Sequence, residues 1–290
     1  MCIKIDIEID YDFKKFKFST MKKLSYLFAV VFSILMLQSC MKDQESNNSK
    51  NAPKLPALES FTMKFNDFST PDKNGINGRT VDNFLYSAGN VLVWNTLVTV
   101  HLYIPVAAFA EALKQNPEYQ GNGIWLWSYD VTDNQHKTYL IKLYGELLAN
   151  DEVKWDMYVS QVGGFANMHW FSGITARNNS YAHWTLNFDT VDPKPLIKID
   201  FTKTLNQATI RYTNIIPGSQ QNGSYIEYKE AVINGTEFDR AFDVFAADLN
   251  NLLQINWNSI YKNGRVKDFK KYNDDYWHCW DTQLQDIDCN

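Results

Sequence analysis

The chain has 290 residues, of which 45% are hydrophobic, 15% aromatic and 21% charged, a composition that can bury a sizeable core and excludes a disordered chain. Its formal net charge is -5, with 28 Lys and Arg against 33 Asp and Glu, and no long basic run interrupts the balance, so no nucleic-acid partner is expected. Four cysteines and five histidines are too few for a cysteine-rich metal scaffold.

The first element is Leu24 to Leu37, 14 uncharged residues preceded by Lys22 and Lys23 and followed by Gln38, Ser39 and Cys40. As a helix it would span about 21 Å, short of the roughly 30 Å of a bilayer core, so it reads as a secretory signal rather than a membrane span. The tetrapeptide LQSC at Leu37 to Cys40 resembles the bacterial lipobox. That resemblance implies cleavage before Cys40, diacylation of its thiol and acylation of the new amine. It makes the protein an outer-membrane lipoprotein of the cell envelope, held by more than one acyl chain (palmitate or similar) where a single chain gives only marginal binding. Upstream, Asp6, Glu8, Asp10 and Asp12 stand where such signals are basic, and Met21 directly precedes Lys22. Residues 1–20 are therefore expected to be an over-extended start, and residues 21–39 the signal peptide. Loss of residues 1–39 removes six lysines and four acids and takes the net charge from -5 to -7. Residues 41–56, MKDQESNNSKNAPKLP, are polar, lack aromatics and carry two prolines, so 40–56 reads as the lipidated cysteine and a flexible tether. Asp43 and Glu45 resemble the short acidic export signal of some Bacteroidota surface lipoproteins, although Met41 and Lys42 come first. Periplasmic and surface-exposed placements both stay open.

Residues 57–290 contain no second linker, low-complexity stretch or fixed-period repeat, and read as one domain. Phe61, Met63 and Phe65 alternate like a strand, and the turn-rich STPDKNGINGRT follows. Asn83 to Ala110 is a run of 28 residues without Asp, Glu, Lys or Arg, with Leu85, Ala88, Leu92 and Val91, Trp94, Val98 at helical spacing. Pro105 is expected to divide it, because proline lacks an amide donor and suits only a first helical turn, so a second helix should run from Pro105 to Lys114. Asn90, Asn95, Thr96, Thr99 and His101 argue against a membrane-spanning reading.

Beyond Gly121 the period changes to two. Trp125 and Trp127 alternate, then Tyr139, Ile141 and Leu143, then Val153, Trp155, Met157 and Val159. Ala182, Trp184, Leu186 and Phe188 come next, followed by Ile197, Ile199 and Phe201, with later runs at Ala208 to Ile215 and Ser224 to Lys229. A short helix around Phe242 to Leu253 and a terminal hairpin complete the expectation. The predicted fold is α+β, mainly β: an antiparallel meander forming a strongly curved sheet or half-barrel, with the apolar helices packed on its concave face.

Chemistry is less legible. GxSxG, HExxH, P-loop, GxGxxG and CxxC motifs are absent, so no catalytic residue and no cofactor is assigned. With Cys40 lipidated and Cys2 upstream of the expected start, Cys279 and Cys289 remain as a pair in an exported protein and are expected to form a disulfide, worth roughly 2.5 to 3 kcal/mol. A metal site from His278, Cys279, Asp288 and Cys289 has the spacing of no common zinc pattern, and no metal is expected. Trp277 and Trp280, flanked by His278 and Asp281, are the candidate ligand platform; Trp125, Trp127, Tyr129, Trp170 and Trp184 read as ordinary core. The histidines are scattered. Asp156, Asp200 and Glu227 sit on predicted strands as carboxylates for a glycan hydrolase, which needs two of them about 5 to 10 Å apart. Asp189, Thr190 and Val191 resemble the D-(S/T)-apolar sequence at which exported Bacteroidota proteins are O-glycosylated, making Thr190 the candidate.

PVAAFAEALKQNPEYQGNGIWLWSYD and GRVKDFKKYNDDYWHCWDTQLQDIDC resemble a group of uncharacterised Bacteroidota lipoproteins, which implies a compartment and no activity. The expected function is a non-enzymatic, lipid-anchored binding module for a hydrophobic or lipid ligand. A surface glycan-binding or scaffold subunit of an outer-membrane complex is the alternative, and a hydrolase of envelope glycans the third reading.

Overall fold

The computed structural model describes residues 51–68, 80–133, 135–233 and 235–289, with the side chains of residue 67 and residues 99–106 left aside. Cys40, the signal segment and most of the tether lie outside the described residues. Residues 52–290 form one compact unit.

Fourteen strands dominate that unit: β1 (Glu118–Gly121), β2 (Ile124–Thr132), β3 (Thr138–Leu147), β4 (Glu152–Gln161), β5 (Met168–Ala176), β6 (Tyr181–Phe188), β7 (Lys194–Lys203), β8 (Ala208–Asn214), β9 (Tyr225–Glu230), β10 (Arg240–Ala246), β11 (Asn251–Trp257), β12 (Gly264–Lys267), β13 (His278–Trp280) and β14 (Asp286–Ile287). They form a single antiparallel meander in which each strand pairs with its sequence neighbours from β1 to β14, so the sheet is not closed into a barrel. Short connections make this the simplest topology, because consecutive antiparallel strands need only a tight turn. Asn122, Asp151, Asn179 and Asn250 take positive φ at four of those turns, a conformation Asn and Asp tolerate better than other side chains.

The period-two pattern puts one face in the core. Ile141, Leu143, Val153, Trp155, Met157, Val159, Trp184 and Ile199 are all buried. Along one row of that face, register places Trp125 opposite Gly145, Gly145 opposite Trp155, Trp155 opposite Gly173 and Gly173 opposite Trp184. The device recurs where Gly264 lies between Trp257 and Trp280. An indole is wider than the roughly 4.8 Å between strands, so it overhangs the neighbouring strand, and the residue beneath it must lack a side chain.

The helix α1 (Asp82–Ala112) covers the buried face. Its 31 residues span about 46 Å. Near its start, Phe84 packs against Trp280 and Phe68. Near its end, Phe109 meets Trp155, Phe171 and Trp184, and the Tyr129 hydroxyl donates to the Ala108 carbonyl at 2.5 Å. The helix thus runs across the strands. The expected break at Pro105 does not occur. A proline within a helix costs about 3 kcal/mol, and the buried residues on both sides, Phe84, Ala88 and Val91 before it and Ala108, Phe109 and Ala112 after it, anchor the two halves in one core and offset that cost.

Three further expectations are corrected. Phe61, Met63 and Phe65 are not a strand: 3₁₀ turns at Leu58–Ser60 and Phe65–Phe68 bracket an irregular segment. Two of its backbone groups are satisfied by one side chain, the buried Tyr212 hydroxyl, which accepts from Met63 N–H at 2.8 Å and donates to the Phe61 carbonyl at 2.6 Å. Phe242 to Leu253 is not a helix but the β10–β11 hairpin, because Leu253, Ile255 and Trp257 alternate inward and the intervening AADLNN supplies a turn. Trp280 is treated with the site residues below.

The C-terminal tail closes the molecule. Cys279 and Cys289 form a disulfide with Cα atoms 5.3 Å apart. Between them, the Asp286 carboxylate accepts from the Asp82 and Asn83 amides, both at 3.1 Å. Val81, in the capping position, makes no side-chain cap of its own, so the tail supplies the acceptor that the helix start lacks. A second short helix, α2 (Phe269–Tyr272), is capped by Asp268. That buried carboxylate also accepts from Tyr86 of α1 at 2.5 Å and Asn251 at 2.9 Å.

Candidate functional site

Among the described residues, aromatic rings pack closely through the interior. Phe61 stacks on Trp184 with ring centroids 3.9 Å apart and meets Phe109 at 4.7 Å, while Phe242 stacks on Trp257 at 5.2 Å. A ligand therefore has to be sought at the margins of the core, and two concavities lie there.

The first is an apolar cleft of about 270 Å³ between the middle of α1 and the sheet. Val93, Trp94 and Leu97 form its helix wall, and Leu196, Ile197, Ile216, Val244 and Phe245 much of its sheet wall. The cleft exists where the ladder is irregular. Leu186 pairs with Ile197 but Asn187 pairs with Pro195, so Leu196 is an extra residue in β7. This bulge turns two successive side chains, Leu196 and Ile197, away from water where strict alternation would bury one. On the helix, Val93 is 60% exposed and Leu97 47% exposed, so the apolar lining continues out to the surface, with Leu92 alongside at 59%. Nothing charged opposes it on the helix side, and Asn90, Asn214, Gln221, Ser224 and Asp248 provide the polar rim.

The second is a more open concavity of about 440 Å³ on the opposite, polar face of the sheet, lined by Ile124, Tyr144, Glu146, Lys154, Asp156, Tyr158 and Asn167. It too sits beside a bulge. Met157 pairs with Phe171 but Tyr158 pairs with His169, so Trp170 is the extra residue and His169 is set against Tyr158. Their rings stack at 4.8 Å, and Tyr144 meets Tyr158 edge-on at 6.0 Å. His169 Nε2 lies 2.9 Å and Lys154 Nζ 3.1 Å from the Asp156 carboxylate. Burial opposes ionisation of Asp156, but the hydrogen bonds from His169 and Lys154 outweigh it and hold the carboxyl below its ordinary value.

The residues singled out in the sequence are placed as follows. Trp280 is 1% exposed and lies between Phe68, Phe84 and Gly264, with its indole N–H donating to the Lys262 carbonyl at 2.8 Å. It is core, not a platform: the polarity of His278 and Asp281, both themselves only partly exposed, does not decide where the indole packs. Trp277 is half-buried, and the Arg265 guanidinium covers its ring at 4.1 Å with Lys267 at 5.4 Å, so a cation already occupies the face a ligand would need. Thr190 is exposed in the β6–β7 turn, where Asp189 accepts from the Val191 amide at 2.9 Å.

The three carboxylates do not share one cleft. Asp156 is on β4 and Asp200 on β7, three strand spacings or about 14 Å across the sheet and two residues out of row. Asp200 and Glu227 are only two spacings, about 10 Å, apart in one row, but Arg211 stands between them, with Arg211 paired to Glu227 at 2.7 Å and Asp200 paired to His183 at 2.7 Å. His278 stacks on Tyr272 and faces Asp274 at 3.1 Å, away from a metal-ligand arrangement with the disulfide cysteines. Among the described residues no group of three or more His, Cys, Asp or Glu could hold a metal ion, and no helix is long and apolar enough to cross a membrane.

Sequence reasoning missed both concavities. Trp94 and Ile197 stood out at apolar positions and Asp156 as a carboxylate on a predicted strand, but only the bulges at Trp170 and Leu196 group them with the rest of their concavities, and a bulge leaves no signal in a single sequence. The chain matches no family model, and it is significantly similar to no curated protein and to no solved structure.

Proposed function

We propose that this protein is a lipid-anchored cell-envelope protein, attached through Cys40, that binds an apolar, lipid-like ligand in the cleft between α1 and the sheet. The observation that carries the reading is the uncharged cleft wall of Val93, Trp94, Leu97, Leu196, Ile197 and Phe245. At about 30 Å³ per water-sized group, its 270 Å³ takes about nine such groups, the size of a medium acyl chain or a compact ring system. The ligand is held at the margin of the core, because the interior is packed with aromatic rings. In this reading the sheet curves around α1 as a half-barrel with the helix on its concave side. Contacts of the one helix with β2 at one end and with β13 and β14 at the other lay it across the whole sheet, which that shape requires. The lipobox resemblance supports an outer-membrane lipoprotein, and an anchored carrier would take up its ligand from, or pass it to, the surface on which it is held.

The test is a titration of delipidated protein with the fluorescent fatty acid cis-parinaric acid. Saturable binding at micromolar concentration is expected, weakened about tenfold or more in Val93→Gln and in Leu97→Gln. Both positions are largely exposed, so neither change should disturb folding. Absence of saturable binding, or binding indifferent to both substitutions, refutes the reading.

A further inference from the structure

The polar concavity on the other face of the sheet has a different chemistry, and the geometry points to a second binding site there, for the neutral pyranose ring of a mono- or oligosaccharide. It does not depend on the apolar cleft.

A pyranose presents an apolar face of C–H groups and an equatorial edge of hydroxyls. Its binding site therefore needs an aromatic wall beside planar groups that accept and donate together. Tyr144 lines the concavity as such a wall, and Tyr158, one face of which is taken by the His169 ring, stands beside it. Asp156, Glu146, Asn167 and Lys154 stand round it and offer carboxylate acceptors, an amide that does both, and an ammonium donor. Its volume of about 440 Å³ is within the usual range for small-ligand sites.

The site is also held in place before any ligand arrives. Tyr158 is held by the His169 ring stacked on it at 4.8 Å and by Tyr144 edge-on at 6.0 Å, and Asp156 is oriented by His169 and Lys154. All but Asn167 project from paired strands, whose rigidity lowers the entropy lost on binding. Asn167 sits just before β5 at φ 55°, where its amide donates to Ser160 Oγ at 2.8 Å, so this loop residue too is anchored.

Charge selects among sugars. Glu146 and Asp156 against Lys154 leave the lining with one net negative charge, and Lys154 is already engaged by Asp156. A uronic or sialic acid would add a carboxylate to a lining already one charge negative, whereas a neutral pyranoside meets only hydrogen-bonding partners.

The experiment is a titration of the full-length chain with maltose, cellobiose, lactose and mannobiose, and with sialyllactose as the acidic probe, read by saturation-transfer NMR and calorimetry. Binding of at least one neutral disaccharide at up to millimolar concentration is expected, with sialyllactose not bound. Tyr144→Ala and Asp156→Asn should each weaken it about tenfold, while Leu97→Gln in the apolar cleft leaves it unchanged. Should Asp156→Asn fail to fold, Glu146→Gln provides the second polar variant, expected to weaken binding in the same direction. The inference is overturned if none of the neutral sugars binds, if sialyllactose binds as well as they do, or if binding survives both Tyr144→Ala and the folded polar variant.

Discussion

The tryptophan-over-glycine row makes a sharp stability prediction at Gly173. A Cβ built on Gly173 would lie 2.1 Å from Trp184 Cε3, 2.8 Å from Trp184 Cδ2 and 2.5 Å from the His183 carbonyl oxygen. Neither neighbour can yield easily. Trp184 is 1% exposed and stacked on Phe61, and the carbonyl belongs to the backbone of β6, which is itself paired on both sides. In an open strand, Gly→Ala would stabilise by about 0.5 to 1 kcal/mol through lost unfolded-state freedom. Here overpacking opposes it, normally at about 1 to 3 kcal/mol, and two simultaneous overlaps with fixed atoms place Gly173→Ala at the upper end, about 3 kcal/mol destabilising. For a unit of this size each kcal/mol shifts Tm by about 2 to 4 °C, so thermal denaturation followed by near-UV tryptophan dichroism should show a fall of about 6 to 12 °C. Gly89 of α1 is the internal control, because nothing lies within 4 Å of a Cβ there, and Gly89→Ala should stabilise by up to about 1 kcal/mol. Equal Tm values for Gly173→Ala and the wild type would refute the claim that the indoles need bare backbone beneath them.

Tyr212→Phe removes the hydroxyl that satisfies both Met63 N–H and the Phe61 carbonyl; two buried groups left unpaired at about 1 to 3 kcal/mol each predict a loss of about 3 kcal/mol in urea denaturation, against well under 1 kcal/mol if water replaces the hydroxyl. Reduction of the Cys279–Cys289 bridge, or its replacement by two serines, should cost about 2.7 kcal/mol in the chain-entropy model. Because the tail also carries the cap of α1, Asp286→Ala should cost about 1 kcal/mol in the oxidised protein and less in the reduced one; a double-mutant cycle with no coupling would separate the tail from the helix. The Asp156 carboxyl is held below its ordinary value of 3.8, so its ion pairs stabilise the fold above that pH and the contribution is lost as the pH falls through its lowered folded value. Asp156→Asn should therefore be less stable than the wild type at neutral pH, with the gap closing on acidification below 3.8; a gap that stays constant with pH would show that the pairs contribute nothing.

How much of this was legible depended on which physical signal carried each feature. Alternation marked β2, β3, β4, β6 and β7 correctly because one buried face imposes a period of two whatever the partners are; β5, whose period the extra Trp170 breaks, showed no such run. The same signal misled at Phe61, Met63 and Phe65, where burial alternates but the backbone bonds go to Tyr212, 149 and 151 residues away, a partner that no local window contains. Pro105 misled through a correct local rule outweighed by packing on both sides of it. Trp280 was read from the polarity of His278 and Asp281, but its burial is decided by Gly264 across the strand pair and by Phe68 and Phe84 over it. The glycines at 145, 173 and 264 were visible in the sequence, but their meaning required the register that sets each beside a tryptophan.

The two concavities show why the fold was more readable than the site. A regular meander is made of residues that repeat a pattern, and pattern is what a single sequence displays. Each concavity lies beside an interruption, the extra Leu196 in β7 and the extra Trp170 in β5. At Leu196 the interruption adds a second inward apolar residue and widens the seam between helix and sheet. At Trp170 it shifts His169 into line with Tyr158, and a ring stack and an ion pair to Asp156 follow. One extra residue costs little in a meander of fourteen strands, because the neighbouring ladders restore the register within a strand. A long, regular sheet can therefore carry local irregularities on either face independently. That independence is the physical reason an apolar cleft and a polar, tyrosine-walled concavity can coexist on opposite faces of one sheet, and why substitutions in one should leave binding at the other unchanged.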